Sequence, residues 1–309
     1  MIEILLATYN GEVYIGQQIE SILNQTNSDW HLTVQDDGSS DRTVQIVKGY
    51  QAAYPEKITL RINSKNLGGA RYNFYDMLLK ASGDYVMTCD HDDIWLPDKI
   101  EKTFQKMRDL ELLYGKEIPL LVHTDLRVVD SNLQLLAESM FYQQNLGTER
   151  KTLPELLVQN NITGCTMMVN HSLLTFLSPQ YPANLIMHDW WLGLIAAAFG
   201  EIGFVPEPTI LYRQHGGNEV GAKNVRTLGY NAKRAAKFAS ARKTLTDTYL
   251  QAGDFARQFK ECLTPYQFEL VQAYADMGEK GKLKRLKTLR KYGLWKNGFS
   301  RRLGQILYG

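Results

Sequence analysis

The sequence predicts an α/β fold with a mostly parallel sheet flanked by helices, followed by a helical extension. Two observations predict it. Short β-rich runs alternate with amphipathic helical patterns over the first two hundred residues, and from about residue 224 only long helical patterns follow. Such alternation is typical of crossover units on a parallel sheet with helices on both faces. We therefore expect an α/β domain over residues 1–223 and a helical extension over residues 224–309.

The elements are predicted in chain order from apolar runs and from the spacing of apolar residues. Strands are expected at 2–8, 32–34, 58–62, 85–89, 120–123, 165–169, 202–205 and 210–212. Helices are expected through Ile15, Ile19 and Ile22, at 43–50, through Phe74, Met77 and Leu78, and at 192–199, 226–259, 266–277 and 283–292. Pro206-Glu207-Pro208 separates the last two strands and predicts a sharp turn.

Length and composition bound the class of protein. With 309 residues, 44% of them hydrophobic, the chain can bury a large core, either as one large domain with an appendage or as two modest domains. Its three cysteines lack metal-ligand spacing, which is typical of reduced thiols in the cytosol. Neither a signal-peptide pattern nor a run of about 18 apolar residues occurs, so we expect a cytoplasmic protein without a membrane span.

Charge is distributed unevenly along the chain. The net charge is +2, but residues 280–309 contain ten Lys or Arg and no Asp or Glu, which leaves −8 on the rest. Leucines and aromatic residues between these cations indicate an amphipathic surface suited to the face of an anionic membrane. Alternatively, this basic tail packs on its own domain or on a second subunit in a homodimer. Nucleic-acid binding is not expected, because the main body is acidic.

Polar residues follow each of the first strands, where a parallel sheet binds its ligands. The segments are Thr8-Tyr9-Asn10, Asp36-Asp37-Gly38-Ser39-Ser40-Asp41, Asn66-Leu67-Gly68-Gly69-Ala70-Arg71 and Asp90-His91-Asp92-Asp93. The last segment places carboxylates where a buried strand emerges. Oxygen ligands at this spacing suit Mg²⁺ or Mn²⁺, which often hold phosphates against a protein. The alternative is an acidic turn that caps the helix after Pro97.

Two of the other segments suggest contacts with a nucleotide. The carboxylate of Asp37 can accept hydrogen bonds from a base or from ribose hydroxyls, although the same segment also suits a turn with a helix cap. Arg71 stands at a helix start, where its guanidinium can face phosphate or base, or can simply be part of a helix N-terminus.

The order of these segments resembles the family 2 glycosyltransferases, inverting enzymes with the GT-A nucleotide-diphospho-sugar transferase fold, over roughly residues 1–218. The resemblance implies that Thr8 and Tyr9 contact the donor nucleotide, with Tyr9 stacked on or near the base. It implies that Asp37 binds the base. It also implies that Asp90 and Asp92 reach the ribose and the metal-bound diphosphate.

The downstream segment His188-Asp189-Trp190-Trp191 contains further candidate site residues. Asp189 is the candidate base that takes the proton from the acceptor hydroxyl, although it also suits a helix cap; its neighbour His188 departs from the Glu that is common in the family. One of Trp190 and Trp191 is a candidate platform for the acceptor sugar, unless both are partly buried helix residues.

The segment Tyr212-Arg213-Gln214-His215 completes the expected site. Arg213 is expected to meet the diphosphate, and His215 to serve as a metal ligand or to stabilise the departing nucleotide. The expected metal ligands are therefore Asp90, Asp92 and His215.

Within the family, the segments 90–95, 187–191 and 212–215 are most similar to bacterial rhamnosyltransferases of cell-wall polysaccharides. That resemblance implies dTDP-L-rhamnose as donor and a lipid-linked glycan as acceptor, at the inner face of the cell membrane. The nearest alternative is a UDP-hexose donor. A catalytically inactive nucleotide-sugar-binding scaffold and a nucleotidyltransferase are the remaining alternatives. A nucleotidyltransferase is the less favoured of the two, because this sequence lacks the basic phosphate loop expected near the N-terminus of such an enzyme.

Overall fold

The computed structural model describes residues 1–215 and 238–308, which form two compact units. The first unit comprises Met1–Met140, Ile162–Pro179 and the strand that begins at Glu201. The second comprises Phe141–Asn161, Gln180–Gly200 and the described residues from 238 onward. The units are interleaved along the chain, and the expected boundary between residues 223 and 224 lies outside the described residues, so that boundary stays a prediction.

A mixed sheet forms the centre of the first unit. Its strands in the described ranges are β1 Ile2–Thr8, β2 Trp30–Asp36, β3 Ile58–Ile62, β4 Tyr85–Asp90, β5 Ile94–Trp95, β6 Leu120–Asp130, β7 Leu135–Ala137, β8 Met168–Asn170 and β9 Glu201–Gln214. Their order is β3-β2-β1-β4-β8-β6-β9-β5, and β7 pairs with β6. β1 to β4 pair in parallel, whereas β8 pairs antiparallel with both β4 and β6. The predicted α/β class is confirmed: β1 to β4 pair in parallel, and so do β6 and β9.

Of the helices described in the first unit, the first three lie where apolar spacing predicts them. They are α1 Ile15–Leu23, α2 Thr43–Ala53, α3 Ala70–Leu79, α4 Lys99–Tyr114 and the short α7 His171–Leu174. In α1, the side chains of Ile15, Ile19 and Ile22 are fully buried, because this spacing places them on one helical face. All seven residues of β1 are buried, which is typical of a parallel strand covered on both faces.

The two strands expected around Pro206 and Pro208 are a single strand, so the predicted sharp turn is wrong. β9 runs in parallel with β6 from Glu201 to Gln214, and the register shifts where β6 passes from Thr124 to Asp125. Proline fixes a φ that extended backbone accepts, and an irregular pairing tolerates its missing N–H. The sequence pattern shows the prolines but not the partner strand that keeps the chain extended.

The second unit is helical. Its helices are α5 Met140–Gln144 (whose first residue belongs to the first unit), α6 Leu153–Val158, α8 His188–Phe199, α9 Phe238–Gln258, α10 Pro265–Ala275, α11 Lys282–Tyr292 and α12 Phe299–Tyr308. The helix predicted at 226–259 is found from residue 238, and its expected start lies outside the described residues. Gly293 ends α11 in the left-handed conformation at φ 66°, which glycine adopts without strain. In the described ranges, no helix has both the length and the apolar character needed to cross a bilayer.

Candidate functional site

The carboxyl ends of three neighbouring strands meet at one edge of the sheet. Thr8 is the register partner of Asp36 in β2, and Ala7 is the partner of Asp90 in β4. Because these strands are parallel, the loops that follow them lie side by side. The expected convergence of the strand ends is confirmed, while the functional roles of these residues stay predictions.

Asp37 is held in a fixed orientation just beyond β2. Its buried carboxylate accepts a hydrogen bond from Asn63 Nδ2 at 2.8 Å and from the backbone N–H of Leu67, at 2.9 and 3.1 Å from its two oxygens. Its backbone carbonyl accepts from Asn66 Nδ2 at 2.9 Å. Sequence reasoning missed Asn63, although its place directly after β3 marks it as a strand-end residue. These donors satisfy the oxygens of a buried carboxylate and fix its orientation.

Thr8 and Tyr9 face different surroundings. The Thr8 hydroxyl is buried and has no hydrogen-bond partner within the described ranges. The Tyr9 side chain is 51% exposed, which suits a ring expected to stack on a base. Asn10 takes a left-handed conformation at φ 49°, and its side-chain oxygen accepts from Ser40 N at 2.9 Å. This bond ties the loop after β1 to the loop after β2.

Arg71 lies in the first turn of α3, behind two glycines. Gly68 and Gly69 have φ angles of 94° and 122°, which only glycine adopts readily, and they bring the backbone into the helix start. The Arg71 guanidinium lies 4.9 Å from the centroid of the Tyr72 ring. Its predicted contact with the donor stays a prediction.

The acidic segment after β4 combines three different carboxyl environments. Asp92 is nearly buried, and its Oδ2 lies 2.7 Å from His215 Nε2. Asp93 is completely buried, with Oδ1 accepting from the Arg213 backbone N–H at 3.1 Å. Burial, reinforced by the charges of Asp92 and Asp90, raises the pKa of Asp93 well above its usual range. A protonated Asp93 relieves the like-charge repulsion within the segment.

Buried groups that sequence reasoning missed lie behind this segment. The potential ligand atoms of Asp90, Asp93 and Cys165 lie within 4.8 Å of one another. Burial raises the pKa of the Cys165 thiol well above its usual range, so the sulfur stays protonated. The Lys99 ammonium is also buried, 4.7 Å from the centroid of the Trp95 ring, and burial lowers its pKa to about 8. No sequence spacing pointed to Cys165 or Lys99, because only the fold brings them here.

The strand end offers carboxylate and imidazole groups, which are ligand types that suit a hard divalent cation. Two of the predicted ligands, Asp92 and His215, are in direct contact, whereas the third, Asp90 at the end of β4, is grouped with Asp93 and Cys165. Mg²⁺ and Mn²⁺ prefer such oxygen and imidazole ligands, and they often take the remaining ligands from substrate phosphates. The protonated thiol of Cys165 does not suit these ions.

Arg213 is buried and bonded to several parts of the first unit. Its Nε donates to the Asp92 carbonyl at 2.8 Å, one terminal nitrogen donates to the Ser131 carbonyl at 2.8 Å, and the other donates to Gln17 Oε1 at 2.7 Å. Its guanidinium carbon lies 4.4 Å from the Tyr14 ring centroid, and the same ring lies 5.0 Å from that of His215. Arg213 therefore fixes the positions of Asp92 and its neighbours, while its predicted contact with the diphosphate stays a prediction.

Asp189 lies in the second unit, in the first turn of α8. Its Oδ1 accepts from Asn160 Nδ2 at 3.2 Å and from the Trp190 N–H at 2.5 Å. A helix N-terminus favours the charged carboxylate that a general base requires. The preceding His188 is buried, and burial lowers its pKa to about 3, so its ring is neutral.

The two tryptophans after Asp189 differ sharply in exposure. Trp191 is completely buried and packs against Phe255 and Phe259, at centroid distances of 5.4 and 6.2 Å, so its predicted contact with an acceptor sugar is wrong. Its position on the inner face of α8 places it in the core of the second unit. Trp190 is partly exposed and donates its indole N–H to the Leu156 carbonyl at 2.6 Å. Trp190 remains the candidate for acceptor contact.

Fold and strand-end chemistry together define a class of protein: a nucleotide-sugar transferase with the GT-A fold. The family model described as Glycosyl transferase family 2 matches residues 3–168, which is more than half of the chain. The chain therefore belongs to glycosyltransferase family 2, and the predicted family and enzyme class are confirmed.

Similar proteins share this family and fold. A Shigella flexneri protein named dTDP-rhamnosyl transferase RfbG is 30% identical over 229 residues, which cover 70% of this chain and 74% of that protein. The solved structure of S. aureus TarS 1-349 with UDP-GlcNAc has a TM-score of 0.60 at 16% identity, covering 94% of this chain and 80% of that one. Mannosyltransferase PcManGT from Pyrobaculum calidifontis, solved with GDP-Man and Mn²⁺, has a TM-score of 0.57 at 17% identity, covering 94% and 73%. The two structures share the fold with this chain.

Proposed function

We propose that this glycosyltransferase is a metal-dependent, inverting rhamnosyltransferase. It moves L-rhamnose from dTDP-rhamnose to a hydroxyl group of a lipid-linked cell-wall glycan. The observation that carries the proposal is the 30% identity, over 70% of the chain, to a relative named dTDP-rhamnosyl transferase. The resemblance of the segments 90–95, 187–191 and 212–215 to cell-wall rhamnosyltransferases supports the class of acceptor.

The nucleotide end of the donor would bind at the ends of β1 and β2. The oriented carboxylate of Asp37 accepts hydrogen bonds from the base, and the exposed Tyr9 ring stacks on or near it. Asp90, Asp92 and His215 would hold a divalent cation, either Mn²⁺ or Mg²⁺. Such a cation neutralises the negative charge of the diphosphate as the nucleotide departs.

Asp189 would act on the acceptor. The acceptor oxygen attacks the anomeric carbon of rhamnose and forms the new glycosidic bond, while the bond between that carbon and the diphosphate breaks. Asp189 accepts the hydroxyl proton, dTDP leaves, and the anomeric configuration inverts because attack and departure occur on opposite faces. Asn160 keeps one oxygen of this carboxylate in place.

A UDP-hexose donor is the second candidate within the same reaction class. The likeness in fold to TarS, which was solved with UDP-GlcNAc, is the observation that favours this candidate. A catalytically inactive nucleotide-sugar-binding scaffold would still use Asp37, Asp90 and Asp92 to bind the donor, but it would not need Asp189 as a base, so the presence of Asp189 favours an enzyme. A lipid-linked acceptor also leads us to propose a cytoplasmic protein attached peripherally to the inner face of the cell membrane.

The decisive experiment is a nucleotide-release assay with a panel of dTDP-sugars and UDP-sugars and a lipid-linked acceptor mixture. Each donor is tested with EDTA, with Mg²⁺ and with Mn²⁺. We expect metal-dependent release of dTDP from dTDP-rhamnose, with release from UDP-GlcNAc or UDP-glucose near background. Release from a UDP-sugar alone would contradict the rhamnose donor but leave the enzyme class unchanged. Equal release in EDTA would contradict the proposed metal dependence.

A further inference from the structure

The last helix of the second unit carries its apolar side chains on the outside. In α12, Phe299, Leu303, Ile306 and Leu307 are 83%, 45%, 43% and 50% exposed. Their spacing of four, three and one residues places them on one face of the helix, which we call the apolar face of α12. A helix packed on a protein core normally buries such a face, so this orientation is the reverse of the usual one.

Polar groups, in contrast, attach α12 to its own unit. The buried Gln305 donates to the Leu294 carbonyl at 2.9 Å and accepts from the Lys296 N–H at 3.1 Å. Arg301 donates to the carbonyls of Gln144 and Asn145 at 2.6 and 2.9 Å. These bonds use the polar side of the helix, so they fix the apolar face of α12 toward the outside.

The charge around this helix identifies the kind of surface that it fits. Residues 280–309 contain ten cationic residues and no acidic one. In α11, five cations are exposed, namely Lys282, Lys284, Lys287, Arg290 and Lys291, the last of which pairs with Glu269 at 2.8 Å. An outward apolar face in a segment of uniformly positive charge matches an anionic lipid surface, where acyl chains accept the apolar groups and phosphates attract the cations. A second copy of this chain would bring the same positive segment against itself.

We propose that α12 inserts its apolar face into the interface of an anionic membrane, and that the exposed cations of α11 supply the electrostatic attraction. This inference deepens the proposed function, because it assigns the attachment to a lipid surface to a particular face. Vesicle binding in the absence of donor and acceptor tests it independently of the sugar that is transferred.

The test measures flotation of the full chain with vesicles of phosphatidylcholine alone or with about one third phosphatidylglycerol, the composition that supplies the anionic surface. We expect binding only to the anionic vesicles, weakened when salt screens the cations. Leu303→Ser with Leu307→Ser should reduce the affinity about tenfold or more, because each exposed leucine contributes apolar contact with lipid.

A matched control uses two leucines elsewhere. Leu112 and Leu113 in α4 are 81% and 75% exposed, so Leu112→Ser with Leu113→Ser makes the same chemical change at another surface. We expect this control to bind vesicles like the unaltered chain, and both double variants to keep its melting temperature. Equal vesicle binding by all three proteins would overturn the assignment to α12.

The oligomeric state in solution distinguishes membrane binding by the apolar face of α12 from dimer formation through the same face. Sedimentation equilibrium without lipid should give the same mass for the unaltered chain and for the Leu303/Leu307 variant. A dimer that this variant converts to a monomer would overturn the proposal and make the apolar face of α12 a subunit interface. Metal-dependent nucleotide release in detergent reports on the proposed function separately, since it needs no vesicle.

Discussion

The aspartates near the strand ends are stabilised in three different ways. Asp37 accepts hydrogen bonds from neutral donors, Asp92 lies against His215, and Asp93 is favoured in its protonated form by burial. An unpaired buried charge is costly, so each solution reduces that cost differently. A carboxylate that already has fixed donors is suited to orienting a ligand, whereas one next to an imidazole is suited to sharing a cation.

The general-base assignment predicts a specific kinetic defect. Asp189→Asn preserves the shape and the oxygen that accepts from Asn160, but it removes the proton-accepting carboxylate. We expect kcat to fall by about a hundredfold or more, while the dissociation constant of the donor stays unchanged. Steady-state transfer assays and donor titration calorimetry measure the two quantities. The exposed Asp109→Asn in α4 is the control, and full transfer activity in Asp189→Asn would refute the role.

The hydrogen bonds of Arg213 predict that its replacement lowers both the stability of the chain and its affinity for the donor. Arg213→Lys cannot reach the acceptors on Asp92, Ser131 and Gln17 together, and the carbonyl it leaves without a donor at Asp92 is buried. We expect the free energy of unfolding to fall by about 2 kcal/mol, and the donor affinity to fall with it. Urea denaturation measures the first quantity and calorimetry the second.

The matched control for this change is Arg42→Lys. Arg42 is exposed and pairs with Glu12 at 3.2 Å, so its replacement should alter stability by less than about 0.5 kcal/mol. If Arg213→Lys proved as stable as that control and lost donor affinity alone, Arg213 would be a direct ligand of the diphosphate and not a positioning residue.

At the scale of elements, the loop between β1 and α1 is packed tightly against the acidic segment. A Cβ atom added at Gly11 would lie 2.4 Å from Cδ2 of His91 and 2.9 Å from the Thr8 hydroxyl. The Gly11 N–H also donates to Thr43 Oγ1 at 2.8 Å, which joins the loop to α2. The loop and the acidic segment therefore cannot shift independently.

Gly11→Ala tests this close approach. We expect a loss of about 1–3 kcal/mol in the free energy of unfolding, because the added methyl group forces His91 or the loop to move. Gly49→Ala, in α2, is the control: nothing lies within 4 Å of its added Cβ, and alanine favours the helix by about 0.8–1.0 kcal/mol. Thermal and urea denaturation should show a lower free energy of unfolding for Gly11→Ala, and a higher one for Gly49→Ala, than for the unaltered chain.

At the scale of the whole molecule, buried histidines predict sensitivity to acid. His123 lies in β6, and burial lowers its pKa from 6.5 to about 3. The unfolded chain therefore binds a proton here below about pH 6.5, and the folded chain does not until about pH 3. The stability associated with neutral His123 is complete above pH 6.5 and is lost progressively as the pH falls below it.

His123→Gln should flatten this dependence. Between pH 6.5 and pH 5, we expect the unaltered chain to lose about 2 kcal/mol more than the variant, from about 1.4 kcal/mol per pH unit. The raised pKa of Asp93 acts in the opposite direction, but it is common to both proteins and cancels in the comparison. Urea denaturation at the two pH values measures the difference, and parallel losses would contradict the assignment.

Much of the fold and part of the site follow from local signals. Ile15, Ile19 and Ile22 predict the inner face of α1 because a helix repeats every 3.6 residues. Asp37 and Asp90 are recognisable because polar residues end apolar strands. Cys165 and Lys99 escape such reasoning, since their contacts join segments far apart in the chain, whereas Asn63 directly follows β3 and carries the same strand-end signal.

By itself, the sequence determined the alternation of strands and helices from β1 to β4, the convergence of polar residues at strand ends and the family, because these depend on periodicity and short motifs. Only the tertiary structure decided the continuity of β9 through Pro206 and Pro208, the burial of Trp191 and the outward apolar face of α12. Each of these depends on which partner covers a given face. An amphipathic pattern states that a helix has two faces, but only its neighbours decide which one is buried.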